Sequence, residues 1–393
     1  MFEKKEKPCL TRGEKNNSGG MTMDIVAAID SFKGSATSLE LNQAVLDAWQ
    51  SKEGEKVNLP VADGGEGTAE VIHHALGGTW RQLEAIDLLF RKKICRYLLT
   101  SYQGKKIAVI ESTEVIGIDL LTQPTDQTIR LASSFGLGEL VKDAQNQDVD
   151  QIIVTLGGSG CSDGGLGLLQ SLGARLEGIT EGNPLLSTKK IDLRNLQEDF
   201  GEVELLIAAD VTSPYTGAQG AARLFGKQKG GSPETLAFLD AQAVRLANQL
   251  ATDYGIDLDR LSGSGAAGGI GGALLLLGAK MASGFTVVSQ LIGLEEQIKK
   301  SDLVITGEGR IDQQTIHGKV PYGVARLAKK YGKTIIALCG SREKDLGELT
   351  RFLPSVFSIQ LGPISLEEAM GHEETLTKVS ILSENLSRLV ENE

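Results

Sequence analysis

Short apolar runs alternate with polar segments of helical periodicity at the start of the chain. Residues 24–29 (DIVAAI) form an apolar run of strand length, and from Thr37 to about Gln50 the apolar residues recur on one helical face. Residues 57–62 (VNLPVA) form the next apolar run. The order strand, helix, strand, with a loop after each strand, predicts a βαβ unit.

The C-terminal region has the same pattern. Apolar runs at 302–307, 334–340 and 355–360 predict strands, and helices are predicted over 320–331 and about 374–390. Neither end of the chain alone has enough strands for a covered parallel sheet, whereas together they supply about five. We therefore predict one discontinuous α/β domain, built from residues 21–64 and 287–393.

The middle of the chain, residues 65–286, differs in character. Segment 83–110 is typical of strands joined by short turns, and strands at 151–156 and 205–210 with a helix at about 164–173 return to the α/β pattern. We predict an inserted second α/β domain with some antiparallel strands, and a cleft between the two domains. The polar leader, residues 1–20, has no apolar periodicity, and we expect it to be disordered.

Composition narrows the class of protein. The chain has 40 Lys and Arg against 51 Asp and Glu, a formal charge of −11, which argues against nucleic acid or an anionic membrane as a partner. The four cysteines are far apart and show no C-x-x-C pair, so we expect a reducing, cytoplasmic environment. The 48 glycines among 393 residues cluster in short loops, which favours rigid, close-approaching loops on an α/β scaffold.

Five loops concentrate glycine and charged side chains near the predicted strand ends. They are 30–35 (DSFKGS), 62–68 (ADGGEGT), 157–167 (GGSGCSDGGLG), 262–272 (SGSGAAGGIGG) and 306–312 (TGEGRID). In open α/β sheets the ligand crevice lies at the carboxyl ends of the strands. Glycine lets backbone N–H groups approach an anion, carboxylates suit Mg²⁺, and Lys33 and Arg310 can bind phosphate or carboxylate. Together these features indicate phosphoryl transfer.

Several motif matches point to other chemistries. Gly263–Gly268 fits G-x-G-x-x-G, but no clear strand precedes it, so helix-entry packing or a phosphate cradle is preferred to a nicotinamide site. The sequence contains no G-x-x-x-x-G-K-[ST], which excludes a P-loop kinase. Gly160–Gly164 fits the nucleophile elbow G-x-S-x-G, and the competing enzyme class is a serine hydrolase that uses Ser162 with His317 or His372 as the base.

The loops also carry a family resemblance. The segments DSFKGSATSLE, LPVADGGEGT, TLGGSGCSDGGLGLLQSLGA, GAAGGIGGAL and DLVITGEGRIDQQTIHGKVPYGVA resemble, in order and spacing, the two-domain bacterial glycerate kinases, from about Met23 to the C-terminus. The resemblance implies ATP-dependent phosphorylation of D-glycerate, with 2-phosphoglycerate the favoured product. It also implies a Rossmann-like domain formed by both chain ends with an inserted second domain.

The expected site residues fall into three groups. The expected catalytic residues are Asp63 as general base, Lys33, Arg310 and Asp312. The expected substrate- and nucleotide-binding residues are Ser31, Gly64, Gly65, Gly158, Ser159, Asp163, Gly265, Gly268 and Gly307. The expected Mg²⁺ ligands are Glu66, Asp210 and Glu308. Glycerate and ATP are the expected partners, without nucleic acid or membrane, and a homodimer is left open.

The chain departs from the family pattern at three places. Gly160, Cys161 and Ser162 replace Ala-Thr-Asn, Ser213 replaces a second Asn, and Lys227 stands where proline is usual. Serine keeps a hydroxyl but loses the amide donor, so we expect an effect on substrate affinity or selectivity. The alternative from another class is a catalytically silent hydroxy-acid-binding protein of the same fold, although a sensor of an anion gains nothing from several carboxylates beside its ligand.

Overall fold

The computed structural model describes residues 23–50, 53–196 and 200–391, and the predicted leader, residues 1–20, lies outside them. The strands are β1 (Ile25–Ile29), β2 (Lys56–Asn58), β3 (Thr79–Ile86), β4 (Lys92–Tyr102), β5 (Lys105–Glu111), β6 (Gln151–Thr155), β7 (Arg175–Glu177), β8 (Lys190–Asp192), β9 (Glu204–Ala208), β10 (Lys280–Ala282), β11 (Leu303–Ile311), β12 (Thr334–Arg342) and β13 (Val356–Ser358). The α-helices are α1 (Ser38–Ala48), α2 (Thr68–Leu76), α3 (Thr113–Ile116), α4 (Asp126–Leu131), α5 (Phe135–Gln145), α6 (Leu166–Ser171), α7 (Ala221–Phe225), α8 (Pro233–Tyr254), α9 (Ala266–Leu276), α10 (Gly284–Leu291), α11 (Leu294–Lys300), α12 (Val320–Lys330), α13 (Leu366–Ala369) and α14 (His372–Glu391).

The first sheet is formed by both ends of the chain. Its order is β13-β12-β11-β1-β2, and every neighbouring pair is parallel. Alternate residues of each strand face two separate apolar clusters: Val26 and Val304 contribute to one, Ile25 and Leu303 to the other. A parallel sheet covered on both faces requires apolar residues at every strand position, which explains the unbroken apolar runs of the sequence.

Strand β2 is shorter than the apolar run 57–62 predicts. Leu59 still donates its backbone N–H to the carbonyl of Ala27, at 3.0 Å. Pro60 has no N–H to continue the ladder, and the N–H of Val61 binds the Ser38 hydroxyl at 2.9 Å instead. The segment that leads to Asp63 therefore leaves the sheet before its apolar pattern ends.

The second sheet is mixed, as the sequence predicts. Its order is β10-β9-β6-β5-β4-β3, with parallel pairs from β10 to β5 and antiparallel pairs from β5 to β3. Helix α10 packs against both sheets: Phe285 and Val288 join a core cluster of the first sheet, whereas Val287 and Leu291 join one on the second. The domain boundaries 64/65 and 286/287 stay a prediction, and the second falls inside α10.

None of the helices in the described ranges has the length and apolar character that crossing a bilayer demands.

Candidate active site

The register of β1 and β11 places two carboxylates side by side at the carboxyl edge of the first sheet. Ile29 pairs with Gly307, so Asp30 and Glu308 follow at the next position of each strand. The backbone N–H of Asp30 binds the carbonyl of Gly307 at 2.9 Å. Both side chains are buried, and burial raises the pKa of each carboxyl, for Asp30 well above its usual range.

Lys33 reaches from the loop after β1 toward a carboxylate of the next loop. Its Nζ lies 3.7 Å from Oδ2 of Asp63, and its side chain is 62% exposed. The charge of Asp63, more than any other neighbour, raises the pKa of Lys33, with smaller contributions from Asp30, Glu66 and Glu308. Lys33 therefore stays protonated in the neutral pH range and presents a cation to the cavity beside it.

The loop that carries Asp63 is fixed from both sides. Oδ1 of Asp63 accepts the N–H of Gly65 at 2.9 Å. Gly64 has φ +89°, and a Cβ there would lie 2.7 Å from the Cα of Gly284, so only glycine lets the loop lie against α10. Glu111, at the end of β5, accepts the N–H of Ala69 at 2.6 Å in the first turn of α2. The second sheet thus helps to hold Asp63 in place.

Glu308 belongs to a buried polar group at the same edge. Its Oε1 accepts a hydrogen bond of 2.5 Å from the Thr315 hydroxyl, and its Oε2 lies 3.2 Å from Nζ of Lys319. The hydrogen bond and the cation oppose the burial that raises the pKa of Glu308. Because Lys319 is the residue before α12, this pair ties the start of that helix to the end of β11.

Arg310 and Asp312 extend the group outward. Nε of Arg310 lies 3.3 Å from Oδ2 of Asp312, and its Nη2 lies 3.4 Å from Oε1 of Glu343. Oδ1 of Asp312 accepts the N–H of Gln314 at 2.9 Å and caps the 3₁₀ turn Gln313–Ile316. The Arg310 side chain is 65% exposed, so it can bind an anion, whereas Asp312 is engaged in holding its own turn.

Two cavities of different size meet at this edge. The large cavity, about 720 Å³, is lined by residues of the first sheet and its loops, including Asp30, Ser31, Lys33, Glu308 and Arg310. The small cavity, about 160 Å³, lies between the two sheets and is lined by Asp63, Gly64, Gly65, Leu156, Gly157, Ala209, Asp210, Val211, His317, Gly318 and Lys319. Asp63 and Lys319 line both cavities.

A cleft with clustered carboxylates and lysines at a sheet's carboxyl edge suits transfer of an anionic group between two ligands. A sequence profile described as the glycerate kinase family matches residues 25–391. The chain belongs to the glycerate kinase family. It is 37% identical over 362 residues to a glycerate kinase of Halalkalibacterium halodurans, covering 90% of this chain and 94% of that protein.

Further relatives of the glycerate kinase family agree. A glycerate 2-kinase of Escherichia coli K12 is 37% identical over 357 residues, covering 88% of this chain and 93% of that protein. A crystal structure from Salmonella typhimurium LT2, of a protein assigned as glycerate kinase 2, has a TM-score of 0.78 at 36% identity and covers 95% of this chain and 99% of that one. The predictions of the family, of a kinase and of the α/β fold are confirmed.

The structure brings together only part of the predicted site. Lys33, Asp63, Arg310 and Glu308 line the large cavity with Ser31, while Asp210 and Gly64 line the small one. Gly65 faces the site as well, since a Cβ there would lie 2.8 Å from Oδ1 of Asp63. Gly307 lies inside β11, where a Cβ would meet the carbonyl of Leu338 at 2.1 Å, so its glycine serves the sheet.

A second set of predicted binding residues lies away from this cluster. Asp163 is fully buried, and its carboxylate accepts N–H groups of Ser134, Gly165 and Gly167 at 2.7–3.1 Å. A Cβ on Gly265 would meet the carbonyl of Pro214 at 2.1 Å, and one on Gly268 the carbonyl of Cys161 at 2.2 Å. These residues serve packing and turn formation among the loops and helices around the second sheet. They do not line the two cavities.

The loop that contains Gly158 and Ser159 is held by a buried lysine. Nζ of Lys229 lies 2.9 Å from the Ser159 hydroxyl and also donates to the carbonyl of Cys161. Burial lowers the pKa of Lys229 to about 8. Gly158 accepts the N–H of Ile118 at 2.9 Å through its carbonyl, so this loop is fixed by contacts within the protein.

The three predicted metal ligands do not form one site. Glu308 is paired with Lys319, and Asp210 lines the small cavity. Glu66 lines a third cavity of about 640 Å³, which shares Asp30 and Lys33 with the large one. Among the described residues, no three Asp, Glu, His or Cys side chains converge as a metal-binding group. The predicted Mg²⁺ stays a prediction, because a cation held by one or two carboxylates together with substrate phosphates needs no such group.

Sequence reasoning missed Asp30 and Lys319. Asp30 directly follows the apolar run 24–29, just as Asp63 follows 57–62. This shared position after a strand could have identified Asp30 as a site residue. Lys319 precedes a predicted helix with Pro321 in its first turn, but the sequence does not reveal its pairing with Glu308.

The hydrolase alternative fails on access. Ser162 is 2% exposed, and its hydroxyl has no hydrogen-bond partner in the described part of the chain. His372 pairs with Glu40 at 3.1 Å, and His317 lines the small cavity. Ser213, the other departure from the family pattern, is also buried, so neither serine lines the cavities and a direct effect on substrate selectivity is not supported.

Proposed function

We propose that the protein phosphorylates D-glycerate with ATP and Mg²⁺ in the cleft between the two sheets. The observation that carries the proposal is the junction of a large and a small cavity at Asp63 and Lys319. The large cavity has the volume that a nucleotide needs, whereas the small one fits a three-carbon acid. Phosphoryl transfer requires two such ligands to meet at one point with charged groups beside it.

The cationic and the acidic residues at the junction have different roles. Lys33, Lys319 and Arg310 supply the cations that bind the phosphates and offset the charge of the transferring group. Asp63 accepts the proton of the glycerate hydroxyl as its oxygen forms the bond to the γ-phosphorus, while the bond from that phosphorus to the β,γ-bridging oxygen breaks and ADP leaves. Lys33 offsets the charge of Asp63 until the phosphates draw the ammonium toward them.

Magnesium fits this arrangement through the substrates. Asp210 lines the small cavity, which gives a cation a carboxylate oxygen beside the phosphates without engaging Asp63. When bound, the cation would neutralise charge on the β- and γ-phosphate oxygens. We place the reaction in the cytoplasm, where ATP is available, with 2-phosphoglycerate as the favoured product and a homodimer as an open prediction.

The test is a coupled assay of ADP formation with D-glycerate, L-glycerate and other small hydroxy acids, followed by NMR of the product. We expect turnover with D-glycerate and a ³¹P-coupled signal at carbon 2. ADP formation that is independent of every hydroxy acid would overturn the proposal. A signal at carbon 3 would correct the product and leave the kinase activity in place.

A further inference from the structure

An apolar wall forms part of the lining of the large cavity. It is formed by Ile364, Leu366 and Met370, on the segment between β13 and α14. These side chains are 43%, 75% and 41% exposed, although large apolar side chains are normally covered. Three such residues in the lining of one cavity indicate a surface that a ligand covers.

The apolar wall contacts the loop 30–35, which carries Lys33. A Cβ built on Gly34 would lie 3.1 Å from Cε of Met370, so Met370 rests against the residue that follows Lys33. The Ser35 hydroxyl also bonds that of Thr375, at 2.5 Å, which joins the same loop to α14. One ligand can therefore contact the apolar wall and Lys33 at once.

The segment that carries the apolar wall has a defined conformation. Ser365 and Glu368 form a reciprocal capping box at the start of α13, with Oε2 of Glu368 accepting the Ser365 N–H at 3.0 Å. Gln360 bonds the carbonyl of Gly340 at 3.2 Å and accepts from Lys378 at 3.2 Å. A preformed apolar surface costs less conformational entropy on binding than a mobile one.

We infer that the apolar wall of Ile364, Leu366 and Met370 binds the adenine base of the nucleotide. The inference rests on the proposed function, because it requires the phosphates to lie at Lys33, Lys319 and Arg310. The ligand must then be apolar at one end and anionic at the other, and it must fill much of a cavity of about 720 Å³. Glycerate is too small and too polar for the apolar wall, whereas a flat purine gains from contact with it.

The test compares a nucleotide with its phosphate chain alone. Binding of ADP and of tripolyphosphate is measured by calorimetry on the wild type and on the double variant Ile364→Ser, Leu366→Ser. We expect the Kd of ADP to rise about tenfold in the double variant, and the Kd of tripolyphosphate to change less than twofold, because only ADP has a base. Leu361→Ser is the matched control, since Leu361 is 62% exposed on the same segment but does not line the cavity.

The outcomes separate this inference from the proposed function. An ADP affinity within twofold of the wild type, or an equal loss for ADP and tripolyphosphate, would overturn the base site and leave the kinase activity standing. A wild type that binds neither ADP nor ATP would overturn both. Photolabelling with 8-azido-ADP adds a direct readout: we expect labelled peptides from residues 359–370, and labelling confined to residues 66–74 of the 640 Å³ cavity would refute the assignment.

Discussion

Replacing Asp63 by Asn tests the general base most directly. Asn keeps an oxygen that can accept the Gly65 N–H, a bond of 2.9 Å in the wild type, so the turn should survive. The pair with Lys33 is 3.7 Å long and has a 62% exposed lysine, so its loss should cost less than about 1 kcal/mol of stability. The catalytic loss is of a different size, because a general base contributes about 10²–10⁴-fold to turnover.

The measurement is kcat from a coupled assay together with the melting temperature of the same preparation. Asp345→Asn is the matched control: Oδ1 of Asp345 accepts the Gly347 N–H at 2.8 Å, which is the same two-residue turn, but Asp345 does not line the cavities. We expect kcat to fall at least 100-fold in Asp63→Asn and to stay near the wild-type value in the control. A kcat within threefold of wild type for Asp63→Asn would refute the assignment and make Asp210, which also lines the small cavity, the next candidate.

Three further predictions concern charge. Lys33→Ala should raise the KM for ATP more than it lowers kcat, because the ammonium binds phosphate in the ground state as well; unchanged KM values with lost turnover would contradict this. EDTA should abolish activity and added Mg²⁺ or Mn²⁺ should restore it, and full turnover in metal-free buffer would refute the need for a cation. The pKa of Lys229 is about 8 in the fold and 10.5 when unperturbed, so the unfolded chain binds more protons between these pH values. The stability of the wild type relative to Lys229→Met should therefore rise from pH 8 to 10.5, by up to about 3 kcal/mol in urea titrations, and a constant difference would contradict the burial of this charge.

The sequence predicts the strands of the first sheet because each is covered on both faces. Residues 25–29, 303–305 and 335–339 are apolar without interruption, and the structure places β1, β11 and β12 there. This apolar pattern depends on the burial of the strand itself and not on the loops that flank it. The end of β2 was not predictable in this way, because Pro60 stops the ladder inside an apolar run.

The sequence predicts only those site residues that directly follow a predicted strand, because the fold class then places them at the same edge of the sheet. Lys33 and Asp63 each lie close behind a predicted strand, so their meeting at one sheet edge follows from the fold class. Asp163 and Gly268 occur in loops of the same composition, yet their polar groups and backbone are used in contacts within the second sheet's unit. Glycine and aspartate serve tight packing and ligand binding equally well, so composition alone does not separate the two roles.

The two cavities also differ in which of the two sheets contributes their lining residues. The large cavity is lined only by residues of the first sheet's unit, from 30–35 and 63 at one end of the chain and from 308–375 at the other. The small cavity needs Asp210 after β9 and Gly157 after β6, as well as Asp63 and Lys319. A change in the relative position of the two sheets therefore alters the small cavity and leaves the large one intact. If ATP occupies the large cavity and glycerate the small one, as we propose, ATP can bind whatever the relative position of the two sheets, whereas glycerate binds only when they are placed as in this structure.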